Sequence, residues 1–369
     1  MAKEQKTMME TLQGEVRASW NKASSRLAAV LAVLIMVGLP LVFQDYYFNI
    51  LQVKYWYYCG VVIAAAVIYV IMAVIFWNRD RKWCDGALLK GLKSNLSLKS
   101  LTAAEWAMLA FLLASVISTL QSEYVYESFW GNEGRFVGLF MIILYTISFF
   151  IIARKLEFKK WYLDVFLGTG MIVCLIGILH YFEFDPIGFK NDLNYLDYVD
   201  FTSTIGNINT YTSYLALVVG VSTVLFTVEK EAKRKVWYTV CVVISLFALI
   251  TGISDNAYLT LLALLGLLPF VLFNSVRGVR NYVVILAIVC TEFIGIGFTV
   301  DKFPEHVLAI NGLFNVITDF KGLPVITVVL WILGIGLYFA ERNVLKNAKE
   351  SNLGRWIWLA AVIIVFSGL

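Results

Sequence analysis

Long apolar runs separated by short polar interruptions recur along the whole of this 369-residue chain. Most extend to about 20 residues, the length at which a helix crosses about 30 Å of hydrocarbon. They fall near 27–43, 56–77, 102–120, 136–153, 161–180, 209–228, 236–253, 257–273, 281–300 and 323–340. A last run, 356–369, is still apolar where the sequence stops. Backbone polar groups inside lipid have to be satisfied within their own segment, so each run is predicted as a helix. The expected fold is all-α, a polytopic integral membrane helical bundle of about 11 transmembrane helices. Residues 1–26 form a polar N-terminal tail and 27–369 a single transmembrane domain.

Composition agrees with the pattern. Hydrophobic residues make up 60% of the chain and charged residues 15%, against roughly 25% charged in soluble globular proteins. The basic residues fall on alternate connections. Of the 30 Lys and Arg, 25 lie in 1–26, 78–100, 154–160, 229–235, 274–280 and 341–355, and the other connections hold Lys54, Arg135, Lys190, Lys302 and Lys321. By the positive-inside rule the first set, with the N-terminus, is expected in the cytoplasm. The net charge of +4 is thus a signal of orientation and gives no indication of nucleic acid as a partner. The N-terminus is polar and mixed in charge, so the first run is expected as a retained anchor. Cys59, Cys84, Cys174, Cys241 and Cys290 include no CxxC pair, and neither a disulfide framework nor a metal site is expected. No GxxxxGK[ST] loop is present to couple ATP, and no cofactor is expected.

Candidate chemistry lies mostly outside the runs. In "FWGNEGRFVG" (129–138) Arg135 stands at the edge of an apolar run, two positions after Glu133. It reads either as a snorkelling anchor or as a bidentate phosphate ligand. Flanking Gly134 and Gly138 would let a ligand or helix approach the backbone. In "TSTIGNINTYTSYLAL" (202–217) Thr204, Asn207, Asn209 and Thr210 suit a turn and helix cap, or a polar helix N-terminus facing an anion. In "TGISDNAYLTLLALLGLL" (251–268) Ser254, Asp255 and Asn256 form a polar turn, with Asp255 or Asn256 capping the next helix. The intramembrane charges are Glu105, Asp164 and Glu292. The first and second lie near cytoplasmic ends, where they can reach water. Glu292 is mid-run, where function is the default expectation. His306 and His180 are the two histidines available as a general base, His306 being the weak catalytic candidate.

Three of these stretches, in this order, resemble the bacterial O-antigen ligase and polymerase superfamily. "FWGNEGRFVGLF" is similar to its Gly-x-x-x-Arg-x-x-Gly segment and "FTSTIGNINTYTSYLAL" to its Thr-x-Gly-Asn-x-Asn stretch. "TGISDNAYLTLLALLGLL" stands in the place of its Ser-Arg-Gly helix start. The resemblance covers roughly 105–270 and implies a GT-C-like multi-pass glycosyltransferase of the bacterial cytoplasmic (inner) membrane, its site facing outward. Such an enzyme moves a glycan from an undecaprenyl-diphosphate carrier to a hydroxyl acceptor on a glycan, lipid or protein, without metal or nucleotide. It implies that Arg135, beside Gly134, holds the carrier's phosphates. It also implies that Asn207, Asn209, Ser254 and Asn256 shape the pocket rim. Asp255 stands where that family has arginine. The family's large C-terminal external loop has no counterpart in 1–369, so a C-terminally truncated member, catalytically incomplete as given, is expected. A transporter or flippase for lipid-linked sugars, with Glu292 as its coupling site, is the alternative expectation. A non-catalytic scaffold or sensor is the third.

Overall fold

A computed structural model describes residues 2–83, 98–132, 134–191, 193–343 and 351–367. Cys84, Lys90, Lys93, Glu133, Lys346 and Lys349, which figure in the sequence reading, lie outside them. Each predicted apolar run coincides with a helix. In order these are α1 (Ala2–Val33), α2 (Ile50–Trp83), α3 (Ala103–Leu120), α4 (Leu139–Lys155), α5 (Trp161–Tyr181), α6 (Ile208–Val228), α7 (Ala232–Ile250), α8 (Asn256–Leu272), α9 (Val276–Lys302), α10 (Leu323–Asn343) and α11 (Leu353–Ser367). The polar stretch 1–26 is helical from Ala2 and enters the first apolar run without a break. Beyond α1 the helix widens through a π-helical turn, Leu34–Gly38, and ends at Leu41.

Among the described residues seven helical stretches are long and apolar enough to cross a membrane: Glu10–Leu41, Ile50–Arg81, Ala103–Leu120, Trp161–Tyr181, Ile208–Val228, Val276–Lys302 and Leu323–Asn343. The other four predicted spans fall short for visible reasons. Helices α4 and α8 have 17 residues each, and α11 has 15. Helix α7 has 19 but opens with Lys233, Arg234 and Lys235 in its first turn.

The chain divides into two compact units, Met1–Val165 and Phe166–Leu369. In the first, α1 and α3 pack on α4, and α2 packs on α1 and α4. Its core joins Ala28 and Leu31 of α1, Tyr58, Cys59 and Val62 of α2, and Met141 and Leu144 of α4. The small side chains of Ala28, Cys59 and Ala65 let helices approach, as packing in lipid requires where no hydrophobic drive separates helix from solvent. A buried 2.7 Å hydrogen bond between the Tyr58 and Ser148 hydroxyls crosses the same interface. The large apolar residues of α2 that miss this core, among them Val67, Val70, Ile71 and Val74, are exposed. On a membrane span that is the face lipid covers.

Polar groups near the helix ends are matched. Lys54 Nζ donates to the Leu39 and Pro40 carbonyls at 2.8 and 3.2 Å, capping the end of the α1 segment. Thr102 and Glu105 form a capping box at the start of α3. The buried Glu105 carboxylate also accepts from Arg154 Nε of α4. Glu105 was expected to reach water near its helix end; here it is 4% exposed and answered by a guanidinium instead.

In the second unit α6 packs on α7 and α9 on α10, with α8 against α6, α9 and α11. Tyr211, Leu215, Tyr238, Leu246 and Ile285 are fully buried there. At the basic end Asn281 Nδ2 donates to the Thr227 carbonyl at 2.9 Å and Asn281 Oδ1 accepts from Arg280 at 3.1 Å. Arg280 also pairs with Glu341 of α10, so one buried amide ties three helices. The α8–α9 turn is tight because Gly278 sits against the Leu272 carbonyl, which an added Cβ would overlap at 1.8 Å. Backbone cannot rotate away as a side chain can. Gly278→Ala is therefore expected to destabilise the protein by about 1–3 kcal/mol, read as a lowered thermal midpoint in detergent, whereas Gly266→Ala, with nothing within 4 Å, leaves it unchanged.

Candidate functional site

Arg135 lies on a loop whose shape is set by two glycines in backbone contact. The short helix Val125–Trp130 ends at Gly131, whose φ of +86° favours a residue without Cβ. A Cβ on Gly131 would lie 2.6 Å from the Val137 nitrogen, and one on Gly138 would lie 2.4 Å from the Gly131 nitrogen. The two strands of the loop therefore touch, main chain to main chain. Inside it, the Asn132 carbonyl accepts from the N–H of Arg135 at 3.2 Å and of Phe136 at 2.9 Å. Phe136 holds φ +52° and stacks on Tyr55 of α2 with ring centroids 4.8 Å apart, anchoring the loop to the bundle.

Gly138 therefore has a different role from the one expected of it. Gly138 admits the chain's own backbone, not a ligand. Gly134 has open space around it and is required by its φ of +91°. The exposed Arg135 lines a cavity of about 560 Å³ with Ser122, Tyr124, Glu127, Ser128 and Asn132. No side chain among the described residues hydrogen-bonds or ion-pairs with its guanidinium.

In the second unit the sequence-predicted rim residues do come together. A two-stranded hairpin, β1 (Phe201–Thr202) against β2 (Gly206–Asn207), pairs Phe201 with Asn207 and Thr202 with Gly206. It delivers Asn207 as the N-cap of α6, its Oδ1 accepting from Asn209 N–H at 3.0 Å. That N–H is thereby taken up, so the helix start does not present it to an anion. Ser254 Oγ donates to Asn209 Oδ1 at 2.8 Å, and Asn256 Nδ2 to the Asn209 carbonyl at 3.3 Å. Asn209 is thus the hub joining the start of α6 to the turn before α8. Asp255, expected as a possible cap, occupies the N-cap position without a side-chain capping bond; Ser254 Oγ accepts from Asn256 N–H instead. Ile253 in the same turn has φ +50°, an outlier for a β-branched residue.

The remaining candidates separate by environment. His180 is buried, its Nδ1 accepting from Ser203 N–H at 3.0 Å and its Nε2 3.4 Å from Asp185. Its part is to fasten the 181–203 loop to α5, which leaves it no room to act as a general base. Asp185 also takes the Gly188 and Lys190 N–H groups at 2.9 and 2.7 Å. Burial pushes its carboxyl up, but these N–H groups and the His180 imidazole outweigh that and hold it below its ordinary range. Lys190, 3% exposed, donates to the Tyr198 carbonyl at 2.8 Å and lies 4.4 Å from that ring's centroid. Nothing in the sequence marks this network, whose partners meet only through the fold of a loop. His306 is exposed at the end of a short Pro304–His306 turn. Glu292 is half-buried in α9 with no hydrogen-bond or ion-pair partner among the described residues, while its neighbour Thr291 accepts from Trp331 Nε1 at 3.0 Å.

The candidates thus stand as two groups, Gly134 and Arg135 in the first unit and the Asn207, Asn209, Ser254 and Asn256 cluster in the second. Comparison with protein-family models, curated proteins and solved structures finds no match for this chain.

Burial pulls the Lys190 ammonium down to about 8 from its ordinary 10.5, against opposing pulls from Asp185 and Glu183. Between those values the unfolded chain binds more protons than the native one, so this group makes stability rise with pH across the window. Chemical denaturation of the wild type and Lys190→Met from pH 7 to 10.5 is expected to show a difference that grows in favour of the wild type. Parallel curves would remove Lys190 as the cause.

Proposed function

We propose that this chain is a GT-C-like membrane glycosyltransferase of the O-antigen ligase and polymerase kind, with its N-terminus cytoplasmic and its site facing outward from a bacterial cytoplasmic membrane. It moves a glycan from an undecaprenyl-diphosphate carrier to a hydroxyl acceptor. The observation that carries this reading is Arg135, an exposed guanidinium without a hydrogen-bond or ion-pair partner among the described residues, on a loop held by backbone contact and lining a cavity.

In such a transfer the acceptor oxygen bonds to the anomeric carbon as the bond to the diphosphate breaks. The bonding pair leaves with the diphosphate and the hydroxyl proton passes to a base. The charge that develops sits on the leaving group, so a fixed guanidinium contributes more there than in the ground state. Planar, two-pronged donation suits a phosphate better than an ammonium does. The Asn209 hub supports a rim of polar groups around a sugar. His306, exposed and outside the buried networks, is the candidate base.

Glu292 favours a second reading, a transporter or flippase for lipid-linked sugars, because a carboxyl group in an apolar helix with no hydrogen-bond or ion-pair partner among the described residues suits ion coupling. The two readings separate experimentally. With a lipid-diphosphate-linked glycan as donor, Arg135→Ala and Arg135→Lys are expected to lower transfer by about 10²-fold or more while membrane insertion is unchanged. Normal transfer by Arg135→Lys would overturn the bidentate role. In proteoliposomes, sugar-lipid movement that is abolished by Glu292→Gln and indifferent to Arg135→Ala would establish the transporter reading in its place.

A further inference from the structure

We propose a binding site for an anionic lipid at the lysine- and arginine-rich end of the first unit, separate from Arg135 at the other end of α4. A cavity of about 720 Å³ lies between α1 and the α4–α5 connection, lined by Lys22, Arg26, Arg154, Lys155 and Lys159. Glu157 is the one carboxylate in its lining. A second cavity of about 410 Å³ is walled by Tyr69, Leu101, Leu109, Phe150 and Ile151. Arg154 and Lys155 line both.

That sharing is what identifies the ligand class. A polar, cationic basin and an apolar groove meet at two cations, as the phosphate of a lipid meets its acyl chains. A free phosphate or nucleotide would use the basin and leave the groove empty. A neutral lipid would use the groove and leave five basic groups facing one acid. The two shared cations are held in place. Arg154 Nε donates to buried Glu105, and Lys155 Nζ lies 5.5 Å from the centroid of Trp20. Both close the last turn of α4, where cations also oppose the negative end of the helix dipole. The dipole does not account for Lys22, Arg26 and Lys159, which are exposed and come from α1 and the α4–α5 connection. Glu105 offsets Arg154, yet the basin remains net positive. With the N-terminus cytoplasmic, as proposed above, the lipid belongs to the cytoplasmic leaflet, whose anionic headgroups basic pockets of this kind attract.

The probe is phosphatidylglycerol, with phosphatidylcholine as the neutral comparison, bound to the purified full chain in detergent and followed by native mass spectrometry. The wild type is expected to retain phosphatidylglycerol in preference to phosphatidylcholine. Lys22→Gln, Arg26→Gln and Lys159→Gln should each weaken that retention by about fivefold. These side chains are exposed, so the variants are expected to stay monodisperse. Leu109→Trp, which fills the groove, should weaken lipid retention without changing the binding of inorganic phosphate. Equal retention of the two lipids, or full retention after all three charges are removed, would overturn the proposal. So would complete displacement by inorganic phosphate with Leu109→Trp having no effect, since the site would then belong to a free anion.

Discussion

Inside hydrocarbon every backbone N–H and C=O has to find its partner within its own helix. That constraint decides where the rest of this protein's chemistry can be. Mid-helix backbone is closed to a ligand, and mid-helix side chains are mostly apolar. What remains are the helix ends, where the first N–H groups and last carbonyls lack partners, and the loops between them. Several of the arrangements described above are answers to that end problem. Lys54 donates to the carbonyls ending the α1 segment, Thr102 and Glu105 close the start of α3, and Asn207 closes the start of α6.

The two units answer it differently. In the first, the α3–α4 connection is shaped by backbone against backbone, Gly131 on Gly138, with one aromatic stack to α2. Ser122 Oγ also takes the Tyr124 N–H and the Ser128 hydroxyl there, while the Arg135 side chain has no hydrogen-bond or ion-pair partner among the described residues. In the second, polar side chains of the turn before α8 converge on Asn209, beside the turn's own backbone hydrogen bonds. Each such bond contributes only about 1 kcal/mol net, but together they fix Asn207, Ser254 and Asn256 in relation to one another. The first device presents a charge. The second presents a polar rim whose members are already oriented.

How much of this was legible in the sequence depended on the range of the interaction. Among the described residues a helix lies over each of the eleven apolar runs, because each helix satisfies itself locally, though only seven stretches are long and apolar enough to cross a membrane. The cap at Asn207 lies within two residues of its partner and was readable for the same reason. Asn209, Ser254 and Asn256 were singled out by residue type, but their mutual hydrogen bonds span more than 40 positions, which local pattern does not encode. Glycine is ambiguous in sequence because one residue type serves two ends. Gly138 is needed for close approach and Gly134 for a positive φ, and only the coordinates separate these. Glu105 was misplaced toward water because its partner, Arg154, is 49 residues away. The His180, Asp185 and Lys190 network was invisible for the further reason that it depends on how an irregular loop folds back.

The same range argument gives the unmatched charges their weight. Lys54 and Lys190, two of the five basic residues on the sparsely basic side, are bound to carbonyls of the chain itself. Arg135, Lys302 and Lys321 have no such partner among the described residues and are exposed. Of these three, Arg135 is the one carried on a loop that backbone contact holds in shape. The two membrane glutamates divide in the same way. Glu105 sits at a helix end, inside a capping box and against a guanidinium, so its burial is accounted for by structure. Glu292 sits mid-helix with neither. Desolvating a carboxylate without a partner costs several kcal/mol, and among the described residues none hydrogen-bonds or ion-pairs with Glu292. A carboxyl group that no contact among the described residues accounts for, in a place where burial penalises its ionised form, is where a function has to be sought.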